Sequence, residues 1–193
     1  MEYHFFAMMS RMKYIERWAL MRNSIGENIS EHSLEVSMIA HVLAVIGNKR
    51  FHKSLNAEKV ALIAIYHDAT EIITGDMPTP IKYYNRDIID AFKKIEENAA
   101  DQLLSMLPQD LREEYESIFF VREEDAYLWK LVKAADKLSA LIKCIEEGKA
   151  GNTEFTSARI SIEETLHKLG IPEADEFMKE FLPSYQKTLD ELQ

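Results

Sequence analysis

Eight apolar side chains, Leu128, Leu131, Val132, Ala135, Leu138, Leu141, Ile142 and Ile145, recur every three or four residues along one stretch. That period puts them on one face of a helix, and a stripe of this length has to be buried against other elements. Chain breakers are rare, with 6 glycines and 5 prolines in 193 residues. Tight β-turns draw on both residues, so their scarcity favours long helices over strands, and no sustained period-two pattern appears. The same reasoning predicts helices over residues 3–18, 28–46, 56–73, 85–106, 109–120, 125–147 and 155–169, and from 172 onward. Asn28 and Glu31 fit a capping box at the start of the second, and Gly47 is read as its end. Thr74-Gly75-Asp76-Met77-Pro78-Thr79-Pro80 reads as a loop, and Pro183 should divide the last helix. The expectation is a single all-α domain over residues 1–193, a bundle of about seven to nine helices.

Charge and cysteine usage exclude several functions. The chain carries 23 Lys plus Arg against 33 Asp plus Glu, a net charge of −10. With no block of basic residues, that balance argues against a duplex nucleic-acid partner. Hydrophobic residues make up 47% of the chain, enough to bury a core. One cysteine, Cys144, permits neither an internal disulfide nor a multi-cysteine zinc cage. No apolar run approaches the ~20 residues of a membrane span. The first 17 residues mix charges with aromatics, unlike a secretory signal. A reduced, cytoplasmic setting is the expectation, with no membrane partner.

Six histidines are present, at 4, 32, 41, 52, 67 and 167. Positions 4, 52 and 167 lie in polar or terminal settings that suit surface residues. His32 and His41 are nine residues apart, which places them on opposite sides of one helix, so they cannot ligate the same ion. His32, in the first turn, is the candidate. His67-Asp68 pairs an imidazole with a carboxylate that can both reach one divalent cation. The dipeptide alone is weak, since this composition yields about 0.3 such pairs by chance. Glu71, four residues on, and Asp76 in the Gly/Pro loop strengthen the cluster; the alternative is a solvated helix end. Asp136 interrupts the apolar stripe of the long helix, where a carboxylate is costly unless paired or metal-bound. A salt bridge to Lys133 or Lys137 is the competing reading. Two His and two Asp would give a divalent ion four ligands and leave an open position for hydrolytic chemistry.

The order His32, His67-Asp68, Asp136 matches the H…HD…D signature of HD-domain metal-dependent phosphohydrolases. Further segments extend the match: Arg17-Trp18, Leu20-Met21-Arg22-Asn23, Glu27-Asn28-Ile29-Ser30-Glu31-His32-Ser33, Tyr66-His67-Asp68-Ala69-Thr70-Glu71, Lys133-Ala134-Ala135-Asp136 and Gly151-Asn152-Thr153-Glu154-Phe155. With the loop running on through Pro80-Ile81-Lys82-Tyr83, the chain resembles the bacterial YfbR-type 5′-deoxynucleotidases from Phe5 to about Leu189. The resemblance implies an all-helical HD-type fold and a homodimer. It implies hydrolysis of deoxyribonucleoside 5′-monophosphates to deoxynucleoside and phosphate, with a metal-activated water attacking the 5′-phosphate. One divalent ion, Co2+, Mn2+ or Cu2+, would be held by His32, His67, Asp68 and Asp136. Glu71 would be the catalytic carboxylate and Asp76 the loop aspartate that shares catalysis and meets substrate. Arg17 would face the phosphate, and Trp18 would disfavour a ribose 2′-hydroxyl. Lys82 is a further candidate for substrate binding, on its charge alone.

A guanidinium offers a fork of donors matched to phosphate. An indole against the 2′ carbon leaves a hydroxyl there crowded and unpaired; the competing reading makes Trp18 a core aromatic at a helix end. Two other functions remain open. One is a different HD phosphohydrolase, acting on cyclic nucleotides, guanosine polyphosphates or deoxynucleoside triphosphates. The other is a helical nucleotide-binding module without turnover.

Overall fold

The computed structural model describes residues 2–193. Helix α1 spans Phe5–Met9 and runs into a 3-10 turn at Ser10–Tyr14. Then follow α2 (Ile29–Arg50), α3 (Ala57–Tyr66), α4 (Glu71–Thr74), α5 (Thr79–Lys82), α6 (Arg86–Leu104), α7 (Gln109–Phe119), α8 (Ala126–Lys149), α9 (Thr156–Leu169) and α10 (Pro172–Glu180). Seven of these have nine or more residues, and α4 and α5 are single turns. Among the described residues there is no strand, and one isolated bridge joins Glu16 to Asn28. The chain is all-α, as its periodicity demands.

The stripe on α8 packs against Val36, Ile39, Leu43 and Ile46 of α2, with α3, α9 and α10 closing the main core. A second apolar cluster gathers Phe5, Leu103, Leu104 and Leu107 around Ala69, under Tyr66, Tyr115 and Phe119. Ala64 belongs to the first cluster and Ala69 to the second, so the turn between them is gripped from both sides. That turn carries His67 and Asp68.

Four boundaries differ from the sequence expectation. α3 ends at Tyr66 instead of continuing to residue 73. His67 Nδ1 bonds to Ala64 O at 2.7 Å, and tight bonds from Ala69 N to Tyr66 O and from Ile72 N to Ala69 O turn the chain before α4. α2 passes through Gly47 to Arg50. Gly47 is there for close approach: a Cβ would lie 2.7 Å from both Glu173 Oε1 and Leu55 Cδ1. α8 likewise runs through Gly148 to Lys149. Residues 3–18 are not one helix, because the backbone at 15–17 finds its partners across a loop. Ile29 N–H donates to Ile15 O at 3.0 Å and Arg17 N–H to Glu27 O at 2.9 Å, closing residues 15–28 at the neck. Long-range pairing here overrides local helical periodicity. The capping box is present, with Asn28 Oδ1 accepting from Ser30 and Glu31 N–H and Glu31 accepting from Asn28 N–H.

By length and composition α2 reaches a membrane-span threshold, with a mean hydropathy of 1.3 over 18 residues, although the sequence shows no comparably long uninterrupted apolar run. More than half of that window, 56%, is buried inside the protein, so its apolarity serves the core.

The far end of the 15–28 loop is tied to α8. The Glu147 carboxylate, 2% exposed, accepts from Ser24 N–H at 2.9 Å, Ile25 N–H at 3.3 Å, Asn152 Nδ2 at 2.8 Å and Lys143 Nζ at 2.5 Å. Asn152 Nδ2 also reaches Arg22 O at 2.8 Å. Burial alone would raise the Glu147 pKa, but the Lys143 ammonium and the donated hydrogen bonds outweigh it and hold the carboxyl at about 2. A depressed carboxyl contributes stability that is present above the unfolded pKa of 4.5 and lost as pH falls toward 2. Glu147→Gln should therefore destabilise the protein at neutral pH. The gap to wild type should narrow between about pH 5 and pH 2, as measured by chemical denaturation across that range.

Candidate active site

Each potential ligand is placed by a different device. His32 sits in the first turn of α2, where the capping box fixes the entry of the helix, and is 1% exposed. His67 and Asp68 stand on the turn after α3, and Asp136 on the inward side of α8. Arriving from three directions, their polar atoms converge. His32 Nε2 lies 3.2 Å from Asp136 Oδ1 and 3.5 Å from Asp68 Oδ2, while His67 Nε2 lies 3.2 Å from Asp68 Oδ2. One donor atom each from His32, His67 and Asp68 lies within 4.8 Å of the others, and Asp136 flanks that trio through His32. His41, by contrast, is exposed on the opposite side of α2.

The hydrogen bonds behind the rings fix the tautomers. Ala64 O can only accept, so His67 Nδ1 carries the proton. Ser139 Oγ donates to Glu35 Oε2 at 2.5 Å, which leaves it a lone pair to accept from His32 Nδ1–H at 3.0 Å. Both Nε2 atoms are then bare lone pairs. They are buried and lack any hydrogen-bond partner. Two orphaned imidazole nitrogens and two carboxylates aimed at one point repel each other unless a cation lies among them. The donor set fits a divalent metal, and the bonds from Nδ1 are what such ligands require.

The electrostatics carry the same signature. Burial is the largest effect on Glu71, and the negative charges of Asp68 and Asp76 add to it, pushing its carboxyl up to about 10. Its Oε2 is buried without a partner. Asp76 is raised as well, by burial and by Asp68. Asp136 goes the other way despite burial, held well below the usual range by Lys137, His32 and Arg17. Lys137 Nζ is 3.0 Å from Asp136 Oδ2, so the salt bridge and the cluster coexist at this aspartate.

A cleft of about 600 Å3 opens beside the cluster, lined on one side by Arg17, Trp18 and Asp76 and on the other by Lys137 and α9. The Arg17 guanidinium pairs with Glu27 Oε2 at 3.0 Å and stands 3.7 Å from Asp136 Oδ1. Burial would lower the Arg17 pKa, but Glu27, Asp136, Asp68 and Asp76 overcome it and keep the guanidinium charged. Trp18 is not at a helix end. It occupies the 15–28 loop with φ of +59°, packs on Phe155 at 5.2 Å and donates Nε1–H to Glu27 Oε2 at 3.0 Å. Lys82 is placed differently from its expected role: its ammonium bonds to Glu96 Oε1 at 2.8 Å and lies over the Phe92 ring, and it does not line the cleft. Lys137 is the lysine that does.

Two site residues, Glu27 and Lys137, are not evident as such from the sequence. Glu27 stands directly before the capping box and ten residues after Arg17, a spacing that becomes informative only once the loop is known to close on itself.

Comparison with known proteins follows the same lines. The family described as 5′-deoxynucleotidase YfbR-like matches residues 4–185. A 5′-deoxynucleotidase of Pectobacterium atrosepticum is 50% identical over 98% of this chain and 95% of its own, and one of Erwinia tasmaniensis is 50% identical over 98% and 96%. Among solved structures, an HD-domain phosphohydrolase from Listeria innocua superposes with a TM-score of 0.81 at 22% identity, covering 94% of this chain and 88% of that one. A cyanophage S-2L HD phosphohydrolase bound to dA and one catalytic Zn2+ ion gives 0.65 at 20% identity, covering 94% and 96%. These two likenesses concern the fold, whereas the family match and the identity to the curated relatives span nearly the whole chain. This chain belongs to the YfbR-like 5′-deoxynucleotidases.

Proposed function

We propose that the protein hydrolyses deoxyribonucleoside 5′-monophosphates to deoxynucleoside and phosphate at the His32, His67, Asp68 and Asp136 cluster. The observation that carries this reading is the pair of buried, unpartnered Nε2 atoms facing two carboxylates, with Asp136 3.7 Å from the Arg17 guanidinium that lines the neighbouring cleft. Those four residues would hold one divalent cation, with Co2+, Mn2+ and Cu2+ as the candidates. When bound, it supplies Lewis-acid polarisation of the phosphoryl group and activation of the attacking water.

The chain's own residues do the rest. Arg17 meets the phosphate with parallel donors and neutralises part of its charge. Glu71, whose carboxyl is pushed up by burial and by the charges of Asp68 and Asp76, would pass a proton to the departing 5′-oxygen. Asp76, at the cleft wall, orients substrate and accepts the proton released by water. The Trp18 indole closes the space beside C2′, so a ribose hydroxyl would be crowded and unpaired. Lys137 supplies positive charge at the cleft wall, a role closer to substrate than the one open to Lys82.

The same reading takes residues 1–193 as one domain acting as a homodimer in the cytoplasm. Exposed Leu34 and Met38 of α2, beside exposed Leu62 and Ile65 of α3, support a second copy as the partner. Light scattering should give twice the chain mass of 22.4 kDa, and Leu34→Glu with Met38→Glu should shift it to monomer; a wild-type monomer would sink the dimer reading.

Phosphate release from dAMP and AMP tests the activity. Supplied with cobalt or manganese, the enzyme should favour dAMP by at least about tenfold, and a chelator should abolish turnover of both. Equal rates would refute the role of Trp18, and no release from any deoxymononucleotide would refute the function. Metal content separates the roles within the cluster. His67→Ala should purify without metal. Glu71→Ala should retain it and lose about a hundredfold or more in kcat.

A further inference from the structure

Trp18 carries the most unfavourable backbone in the cleft wall. Its φ of +59° lies in the left-handed region, where a bulky side chain is strained. Strain of this kind persists when neighbouring groups over-determine the conformation. Asn23 Nδ2 and Met21 N–H both donate to Trp18 O, at 3.3 and 2.8 Å. These bonds fix the backbone but not the rotation of the indole. The ring packs on Phe155 at 5.2 Å, and Glu27 sets its orientation on that contact, its Oε2 accepting Nε1–H at 3.0 Å. The same oxygen takes Arg17 Nη1 at 3.0 Å, and Oε1 lies 3.6 Å from His32 Nδ1. The Arg17 guanidinium in turn lies 5.9 Å from the centre of the Trp18 ring. One partly buried carboxylate therefore sets both the direction of the arginine fork and the plane of the indole.

We infer that Glu27 is a positioning residue for sugar discrimination: it couples the phosphate-facing Arg17 to the sugar-facing Trp18, so that anchoring the phosphate fixes the distance at which the indole meets C2′. The inference rests on the proposed roles of those two residues. Glu27 touches no reacting atom and acts through its two donors. A shared acceptor is what makes their positions interdependent: if either donor is released, the other loses its reference point. Glutamine keeps the length of the side chain, but it removes the charge that binds Arg17 and replaces one acceptor oxygen with a donor.

The test compares wild type, Trp18→Ala and Glu27→Gln as cobalt-loaded enzymes acting on dAMP and AMP. Wild type should prefer dAMP and Trp18→Ala should lose the preference. Glu27→Gln should bind cobalt at the wild-type stoichiometry, lose at least about tenfold in kcat/KM for dAMP, and show a dAMP to AMP ratio shifted toward that of Trp18→Ala. In a Trp129→Phe background, which leaves Trp18 as the lone tryptophan, its emission should shift when Glu27 is changed. If Glu27→Gln keeps both the wild-type ratio and the wild-type Trp18 emission, the inference is overturned. If wild type shows no preference, or Trp18→Ala retains one, the sugar-reading role of Trp18 fails instead, a result visible without the Glu27 variant. Should Glu27→Gln fail to fold, Glu27→Asp applies the same criteria: it keeps the charge but withdraws the acceptor by one methylene, so an unchanged ratio and emission in that variant also overturns the inference.

Discussion

The packing of α2 against α8 is the constraint on which the site depends. Both helices present apolar stripes that meet over most of their length, from Val36 to Ile46 on one side and Leu128 to Ile145 on the other. At one end the seam turns polar. His32 replaces an apolar contact on α2, and Asp136 and Ser139 do so on α8. Such a defect would be costly if left to itself, because buried polar atoms without partners destabilise by about 1–3 kcal/mol each. Here the surrounding stripes hold the defect in place. The helices cannot slide or rotate to relieve it without giving up the burial of the Val, Ile and Leu side chains along both stripes. Rigid apolar packing thus fixes the relative positions of His32 and Asp136, and the turn gripped between two cores brings His67 and Asp68 to the same point.

The other half of the site is built on a loop, and loops need different fastenings. Residues 15–28 are closed at the neck by backbone bonds and tied to the end of α8 by Glu147 and Asn152. Glu27 then orders the inner surface. A charged acceptor serves twice in this arrangement, once at each end of the loop. Both carboxylates accept from donors that the loop leaves without other partners, Arg17 and Trp18 at Glu27 and Ser24 and Ile25 at Glu147, and an apolar replacement would orphan them. Of the candidate ligands, His32 and Asp136 ride on helices and His67 and Asp68 on a turn gripped between two cores, whereas Arg17 and Trp18 ride on an excursion anchored to them. This division matches the physical tasks. Ligand atoms must be held to within a few tenths of an ångström, while a wall that reads substrate must be shaped and accessible.

That division also explains what could be read from sequence. Helical periodicity identified α2 and α8, and the order of His32, His67-Asp68 and Asp136 drew attention to the residues that now converge. The break after Tyr66 was hidden because the apolar pattern continues through it. The turn is made by a histidine bonding to a carbonyl three residues earlier, a contact no periodicity announces. Gly47 reads as a helix stop, yet it lies inside α2, where the missing side chain makes room for Leu55 of the following loop and for Glu173 from far along the chain. The first helix is shorter than its periodicity predicts for the opposite reason: Ile15 and Trp18 continue an apolar spacing, but the backbone at Ile15 and Arg17 is claimed by residues 27–29. Lys82 illustrates the limit of counting charges near a motif, since a lysine in the right segment found an acidic partner on α6. Glu27 was invisible because its importance lies in three side-chain contacts, none of them periodic.

The acidic balance of the chain acquires a local meaning in this site. Asp68, Glu71, Asp76, Asp136 and Glu27 gather around three side-chain cations, Arg17, Lys137 and, on the Glu71 side, a Lys82 already paired with Glu96. Lys137, His32 and Arg17 hold Asp136 below the usual carboxylate range, and His32, Arg17 and Trp18 do the same for Glu27. The same charges fall short at Glu71, whose carboxyl rises to about 10, and at Asp76. The deficit of positive charge is thus not spread over the surface but concentrated on the Glu71 side of the Asp68 cluster. Adding a basic residue there would satisfy the carboxylates and fill the space a phosphate must enter. A small dication satisfies them while leaving that space open. A net charge of −10 that argues against a long polyanion is therefore compatible with a single phosphate, because the site is short of positive charge by design of its own packing and a compact cation can make up the difference.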